Sequence, residues 1–180
     1  LVPFGEYVPF RGFVTAVVPA AGQVARDFRP GSEPSEFVVN GIPIAPIICF
    51  ESAFGAEVRP LVTEGAQALL LVTNNRSYRR SANSAQHVAI GQIRAAETGR
   101  PLVHAAISGI SAFIDADGTV QARSRLFVPG VLQGTVTATE GETPYVRFGP
   151  WVGAGCLLLL AGAAVSAVRR RRPPLVESDP

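Results

Sequence analysis

Two periodicities run along this chain, and together they predict a layered α/β fold. The stretch EFVVNGIPIAPIICF reads as two strands around Asn40-Gly41, a pair favoured in tight hairpin turns. QALLLVTN is a continuous apolar run ending in polar residues, as a buried strand does. RPLVHAAI and ISAFID read as further strands. Asp115-Ala116-Asp117-Gly118 predicts a turn, and TVQARS with VLQGTVTA completes a meander. SAFGAEVRPLVTEGA predicts a short helix, weakened in its middle by Pro60. SAQHVAIGQIRAAETG predicts a longer helix, with Ala85, Ala89, Ile93 and Ala96 on one face and Gly99 as its stop. Strands alternating with helices, followed by a run of strands, predict a mixed sheet in a layered α/β domain.

The pattern changes after Pro150. WVGAGCLLLLAGAAVSAV, from Trp151 to Val168, carries no charge and is just long enough to cross a bilayer as a helix. Trp151 at one end and Arg169 to Arg172 at the other match the anchors of a spanning helix, whereas a buried core helix would rarely stop in four arginines. The positive-inside rule then places Arg169 to Pro180 in the cytoplasm and residues 1–150 across the membrane. The expected organisation is a domain over 1–148, a transmembrane helix over 151–168, and a basic, disordered tail over 169–180. The segment from Phe10 to Pro34, rich in Gly, Pro, Val and Phe, reads either as a loop that touches lipid or closes over a site, or as an ordinary surface loop.

Composition narrows the class. With 47% hydrophobic and only 17% charged residues, the 180-residue chain is globular or membrane-linked rather than disordered. A net charge of +2 gives no reason to expect nucleic acid as a partner. The absence of methionine and the start at Leu1 suggest a fragment or processed product. All 16 basic residues are arginine, so any mechanism that needs a lysine cannot be completed by this chain alone. Cys49 and Cys156 lie far apart in different surroundings, which argues against a disulfide, and they form no metal motif.

Cys49 follows the apolar strand IPIAPII and precedes the helix that begins near Ser52. There it is either a small packed hydrophobe or a nucleophile at the sheet rim, where a helix N-terminus helps stabilise a thiolate. Asn74 and Asn75 read as a turn after a strand or as site residues. His87 and His104 read as a helix-surface residue and a strand hydrogen-bonding residue, and Arg94 with Glu97 as a surface pair on one helix, with a role in packing that helix on the sheet.

Four segments, LVPFGEYVPFR, IICFES, LLLVTNNRSY and QIRAAETGRPLVHAAISGISAFIDADG, occur in one order at plausible spacing. Together with the apolar helix and basic tail they resemble the nitrilase superfamily, and within it the membrane branch of apolipoprotein N-acyltransferases. The resemblance covers Leu1 to about Arg170 and implies the C-terminal part of an α-β-β-α sandwich. It implies a Cys49 nucleophile, with a glutamate base and a lysine upstream of Leu1. Glu6 would be a second acidic group that supports the site by holding the lysine or orienting a proton. Phe50 keeps the family's aromatic without a hydroxyl, the backbone N–H of this turn is a candidate oxyanion donor, and Glu51 is structural or shapes the acceptor site. Asn75 replaces the family's acid, Tyr78 stands for its aromatic and Arg79 takes the place of its glycine. His104 and Ile107-Ser108-Gly109 replace an arginine and an Asn-Gly pair.

The resemblance thus implies a cofactor-free acyl transfer, from a phospholipid to the N-terminal amine of a lipoprotein's diacylglyceryl cysteine, through a Cys49 thioester in a bacterial plasma membrane. Two alternatives stay open: an inactive truncated fragment or membrane-anchored binding module, and a nitrilase- or amidase-type enzyme acting on carbon–nitrogen bonds. An incomplete sandwich is also expected to leave sheet edges and apolar faces uncovered.

Overall fold

The structure, a computed structural model, describes residues 2–29, 31 and 37–170, with side chains described through Ala167. The basic tail beyond Arg170 and part of the Phe10–Pro34 segment lie outside the described residues. Six strands form one mixed sheet in sequential order: β1 (Phe37–Val39), β2 (Ile42–Ile48), β3 (Ala68–Thr73), β4 (Leu102–Ala106), β5 (Ala112–Ile114) and β6 (Val120–Arg123). Strands β2, β3 and β4 run parallel, and β1, β5 and β6 pair antiparallel at the two flanks. The hairpin joining β1 to β2 turns at Asn40 and Gly41, both at positive φ (52° and 82°), as a primed two-residue turn requires. Parallel pairing needs crossovers, supplied here by α2 (Gly55–Thr63) and α3 (Asn83–Thr98). Pro60 lies inside α2 without ending it.

Alternation along each central strand divides the sheet into two unlike faces. Ile47, Leu69, Leu71 and Leu102 point to one face and are fully buried against Val58 and Val62 of α2, Val88 and Ala95 of α3, and Val146. Ile48 and Val72 project from the other face and are exposed, with Leu70 and Val103 beside them only partly covered. The expectation of an uncovered apolar face is therefore met: among the described residues α2, α3 and the segment around Val146 cover one face of the sheet.

Three expectations are corrected. VLQGTVTA is not a strand. The chain leaves the sheet after β6 and crosses back, where Thr139 N–H donates to the Gln67 carbonyl and the Thr139 hydroxyl to that of Gly99. The alanine and isoleucine face of α3 is its outer face, with Ile93 exposed. Its inner face is Ser84, His87, Val88, Gly91, Arg94, Ala95 and Thr98, because the missing side chain of Gly91 lets the helix sit close on Leu102 and Ile114. Arg94 and Glu97 do pair, at 3.0 Å, but inward rather than on the surface, with Arg94 buried beside Tyr145 of α4 (Pro144–Phe148).

The C-terminal end of α3 is latched to the returning chain. Arg100 Nε donates to the Ala66 carbonyl and Nη2 to that of Gly141, both at 2.7 Å, and the Thr143 hydroxyl donates to the Glu97 carbonyl. Gly99 caps the helix at φ 64°, and a Cβ there would press on Thr143 Cγ2 at 2.9 Å. Gly99→Ala is therefore expected to cost about 2 kcal/mol in a urea unfolding curve, from left-handed strain plus loosening of the latch.

Near the N-terminus, α1 (Arg11–Val17) follows Phe10, and Arg11 pairs with Asp27 at 2.5 Å, closing the segment on itself. Phe10, Phe13 and Val17 are exposed. At the other end α5 (Trp151–Arg170) exposes Leu157 to Leu160. Among the described residues no helix is both long and apolar enough to cross a membrane, so the fold lends no support to the span expected over 151–168.

Candidate active site

The C-terminal ends of the three parallel strands open onto one edge of the sheet, and the candidate residues collect there. Cys49 follows β2 directly, Asn74 and Asn75 follow β3, and Ile107 to Gly109 follow β4. The ladder continues into these loops, with Ile107 N–H donating to the Thr73 carbonyl (3.0 Å) and Asn75 N–H to that of Ser108 (2.7 Å).

Cys49 starts a 3₁₀ turn, Cys49–Ala53, at φ 49°. A left-handed cysteine is strained and needs its surroundings to hold it. Two local side chains do so. Glu51 Oε2 accepts the Ile48 N–H at 2.9 Å, and the Ser52 hydroxyl donates to the Cys49 carbonyl at 3.0 Å. The Glu51 carboxylate thus closes the turn. Cys49 is half-buried and unpaired with another cysteine.

His87 reaches the same turn from α3. Its Nε2 lies 3.1 Å from the Cys49 carbonyl oxygen and 3.1 Å from Ser52 Oγ, and its Nδ1 lies 3.0 Å from Asn75 Oδ1. The His104 ring stands edge-on to it, 4.9 Å between centroids, and Tyr78 lies at 6.3 Å. His87, His104 and Asn75 are each only 1% exposed. Burial lowers the pKa of His87, against which the Cys49 carbonyl works in the opposite direction. Burial, helped by neighbouring His87, pushes His104 down to about 4. The Tyr78 hydroxyl is raised by burial and by proximity to Cys49.

Both histidine expectations are thereby corrected. His87 is on the inner face of α3, and His104 makes no hydrogen bond among the described residues. Sequence reasoning missed His87 and Ser52 because the apolar face of the helix was taken for the inner one. The missed signal is the run Ser84, His87, Gly91, Arg94, Thr98, spaced three or four apart and made of small or polar residues.

Phe50 and Tyr78 line a cleft of about 220 Å³ together with Asn83, Gln86, His87 and Ile90. Asn74 is exposed and ties two loops together, accepting from the Arg76 N–H (3.1 Å) and the Ser108 hydroxyl (2.8 Å). Glu6 makes a local hydrogen bond. Its Oε2 accepts the Val2 N–H at 2.8 Å, and no hydrogen bond links it with Cys49 among the described residues. Among those residues no group of three or more His, Cys, Asp or Glu could hold a metal ion.

A cysteine at a strand-to-helix turn can, once deprotonated, attack a carbonyl carbon and carry the acyl group as a thioester. The chain is 40% identical over 180 residues to the apolipoprotein N-acyltransferase of Ralstonia nicotianae, covering 96% of this chain and 33% of that protein. It is 36% identical over 153 residues to the enzyme of that name from Vibrio vulnificus, covering 84% of this chain and 30% of that protein. The chain therefore spans about a third of the length of these relatives. Among solved structures, an amidase from Nesterenkonia sp. matches at a TM-score of 0.45 and 20% identity, covering 56% of this chain and 40% of that one, a likeness too loose to bear on the site. The sequence model of the carbon-nitrogen hydrolase family matches residues 1–145, from before Glu6 to α4 and across every strand and loop that builds the Cys49 site, and the chain belongs to that family.

Proposed function

We propose that the protein to which these residues belong moves an acyl chain from a phospholipid to the N-terminal amine of a lipoprotein, with Cys49 as the nucleophile. The observation that carries the reading is Cys49 itself, half-buried and held left-handed at the end of a parallel strand. The Cys49 thiolate attacks the ester carbonyl carbon. The bond from that carbon to the glycerol oxygen breaks, and the lysophospholipid leaves with a proton on that oxygen. The lipoprotein amine then attacks the thioester, the C–S bond breaks, and an amide forms as the thiol regains its proton. No cofactor enters either step.

Phe50 and Tyr78 border the cleft beside the nucleophile and are assigned to substrate contact. Asn74 and Asn75 hold the edge of the site, and Glu51 holds its turn. Glu6 is assigned a supporting role, steadying a cation supplied from outside these residues, since they contain no lysine. Residues 1–180 alone are accordingly expected to be inactive in acyl transfer.

The membrane seat rests on α5, whose four consecutive leucines are all exposed. Such a surface is costly in water and favourable in lipid. We assign 151–168 to the bilayer, the Cys49 domain to its outer side and residues 169–180 to the cytoplasm. Both substrates carry chains in lipid, and extracting them would cost about 0.8 kcal/mol per methylene.

The deciding experiment gives the whole protein a phospholipid with a labelled acyl chain and maps adducts by mass spectrometry. A hydroxylamine-sensitive acyl group on Cys49, absent in Cys49→Ala, is the expected result. Label released as free fatty acid without any transfer to an amine would instead favour hydrolysis, and no adduct at all would remove Cys49 from the mechanism.

A further inference from the structure

The hydrogen-bond pattern around His87 does not close as it stands. The carboxamide oxygen of Asn75 faces Nδ1 of His87 and also accepts from the Thr73 hydroxyl, while the Asn75 NH₂ group, fully buried, has no partner among the described residues. With Nδ1 protonated, the Nε2 lone pair of a neutral ring could accept only from the Ser52 hydroxyl 3.1 Å away, which would then give up its bond to the Cys49 carbonyl oxygen and leave that oxygen, 3.1 Å from Nε2, facing the ring without a donor. Two acceptors would then face each other.

A half-turn of the Asn75 amide removes both faults. The NH₂ group then donates to Nδ1 and to the Thr73 hydroxyl oxygen, and the ring proton moves to Nε2, where it is donated to the Cys49 carbonyl. The carbonyl oxygen is left without a donor, in place of two N–H groups, and the Thr73 hydroxyl proton turns away from Asn75. A doubly protonated ring would satisfy the unrotated arrangement, but it would bury a cation. The titratable side chains that face it are the Tyr78 ring from the loop before α3 and the His104 ring from β4, and neither is a carboxylate that would balance the charge.

We propose that Asn75 and His87 act as a positioning pair: the Asn75 amide donates to Nδ1 of a neutral His87, leaving the ring proton on Nε2 to hold the carbonyl of Cys49. The consequence lies one atom further along. The peptide joining Cys49 to Phe50 is planar. Holding its C=O on the His87 side aims the Phe50 N–H the opposite way. That N–H belongs to the turn expected to supply an oxyanion donor. His87 is then a positioning residue that sets the direction of this donor from beneath, without touching substrate. The inference rests on the reading of Cys49 as an acyl carrier.

In a ¹⁵N-histidine-labelled sample of the protein, purified without a histidine tag, the imidazoles of His87 and His104 are assigned as the signals lost in His87→Leu and His104→Leu. At pH 7 His87 is expected to carry its proton on Nε2 alone, and Asn75→Asp to protonate both ring nitrogens. A proton on Nδ1 alone, or on both nitrogens in the unmodified protein, overturns the proposal.

A kinetic arm separates positioning from mere stability. Acylation of Cys49 by an activated ester needs an oxyanion donor, whereas alkylation by iodoacetamide does not. His87→Leu is expected to slow acylation about 100-fold, with alkylation changed by less than about threefold. His87→Gln, which keeps an N–H donor near the Nε2 position, is expected to restore most of the acylation rate. Equal losses in both reactions would reduce His87 to a packing residue and overturn the proposal. If unmodified Cys49 alkylates but takes no acyl group, the acyl-carrier reading fails, and the NMR result still decides the pairing of Asn75 with His87.

Discussion

Cys49→Gly is expected to raise stability while abolishing acyl transfer. At φ 49° a side chain is strained, and glycine is not, so the substitution should stabilise the fold by about 1 kcal/mol relative to Cys49→Ala, which removes the thiol but keeps the Cβ. Both variants lose the nucleophile, and removal of a nucleophile costs at least about 10³-fold in rate. Urea unfolding of the two variants, set beside transfer of a labelled acyl chain by each, checks both halves. A Cys49→Gly protein no more stable than Cys49→Ala would show that the turn holds its left-handed residue without strain. Appreciable transfer by either would end the role of Cys49. Opposite movement of stability and rate is what a site maintained at the expense of the fold predicts.

Acid should weaken the protein before its carboxylates are protonated. His104 is neutral in its buried position down to about pH 4, whereas in the unfolded chain it takes up a proton below about 6.5. Between those values the unfolded state binds one more proton than the folded state, so stability falls as pH falls. The loss is complete near pH 4 and amounts to about 3 kcal/mol. The lowered His87 acts in the same direction. His104→Leu places an apolar side chain of similar size among Leu71, Leu102 and Ala112 and removes two ring nitrogens that have no partner. That variant should match the unmodified protein at pH 7.5 and lose about 3 kcal/mol less at pH 4, measured by urea midpoints across the range. An unchanged slope in the variant would place the acid sensitivity elsewhere.

The strands were legible because each advertises itself locally. Asn40-Gly41 can hardly be anything but a tight turn, and the runs ending at Ile48 and Thr73 are too short and too apolar to be surface helices. The position of Cys49 at the sheet edge followed from the same reading, since a polar break after an apolar strand marks the end where loops gather. The inner face of α3 was not legible. Its alanines and Ile93 make the more apolar stripe, and tertiary packing chose the other because Gly91 allows a closer approach and because Ser84, His87 and Thr98 find or lack partners only in three dimensions. His104 was unreadable for a related reason, as nothing local tells a hydrogen-bonded histidine from one kept neutral by burial. VLQGTVTA has the alternation of a strand, yet its chain is drawn back over the molecule by Thr139, Gly141 and Thr143. The roles of Glu6 and of the helix α5 depend on surroundings that these residues do not themselves supply.

The sequential strand order has a consequence for how the chain is made. Each strand from β2 to β6 lies beside the strand that precedes it in the sequence, so on a ribosome every new strand emerges to find its neighbour already formed. Nothing in the sheet has to wait for a distant segment. After the six strands comes the stretch from Thr139 to Val146, which fastens Arg100, Glu97 and Arg59 from outside. Assembly of these strands therefore runs in one direction, and the nucleophile's turn is already held by α3 when that buckle closes.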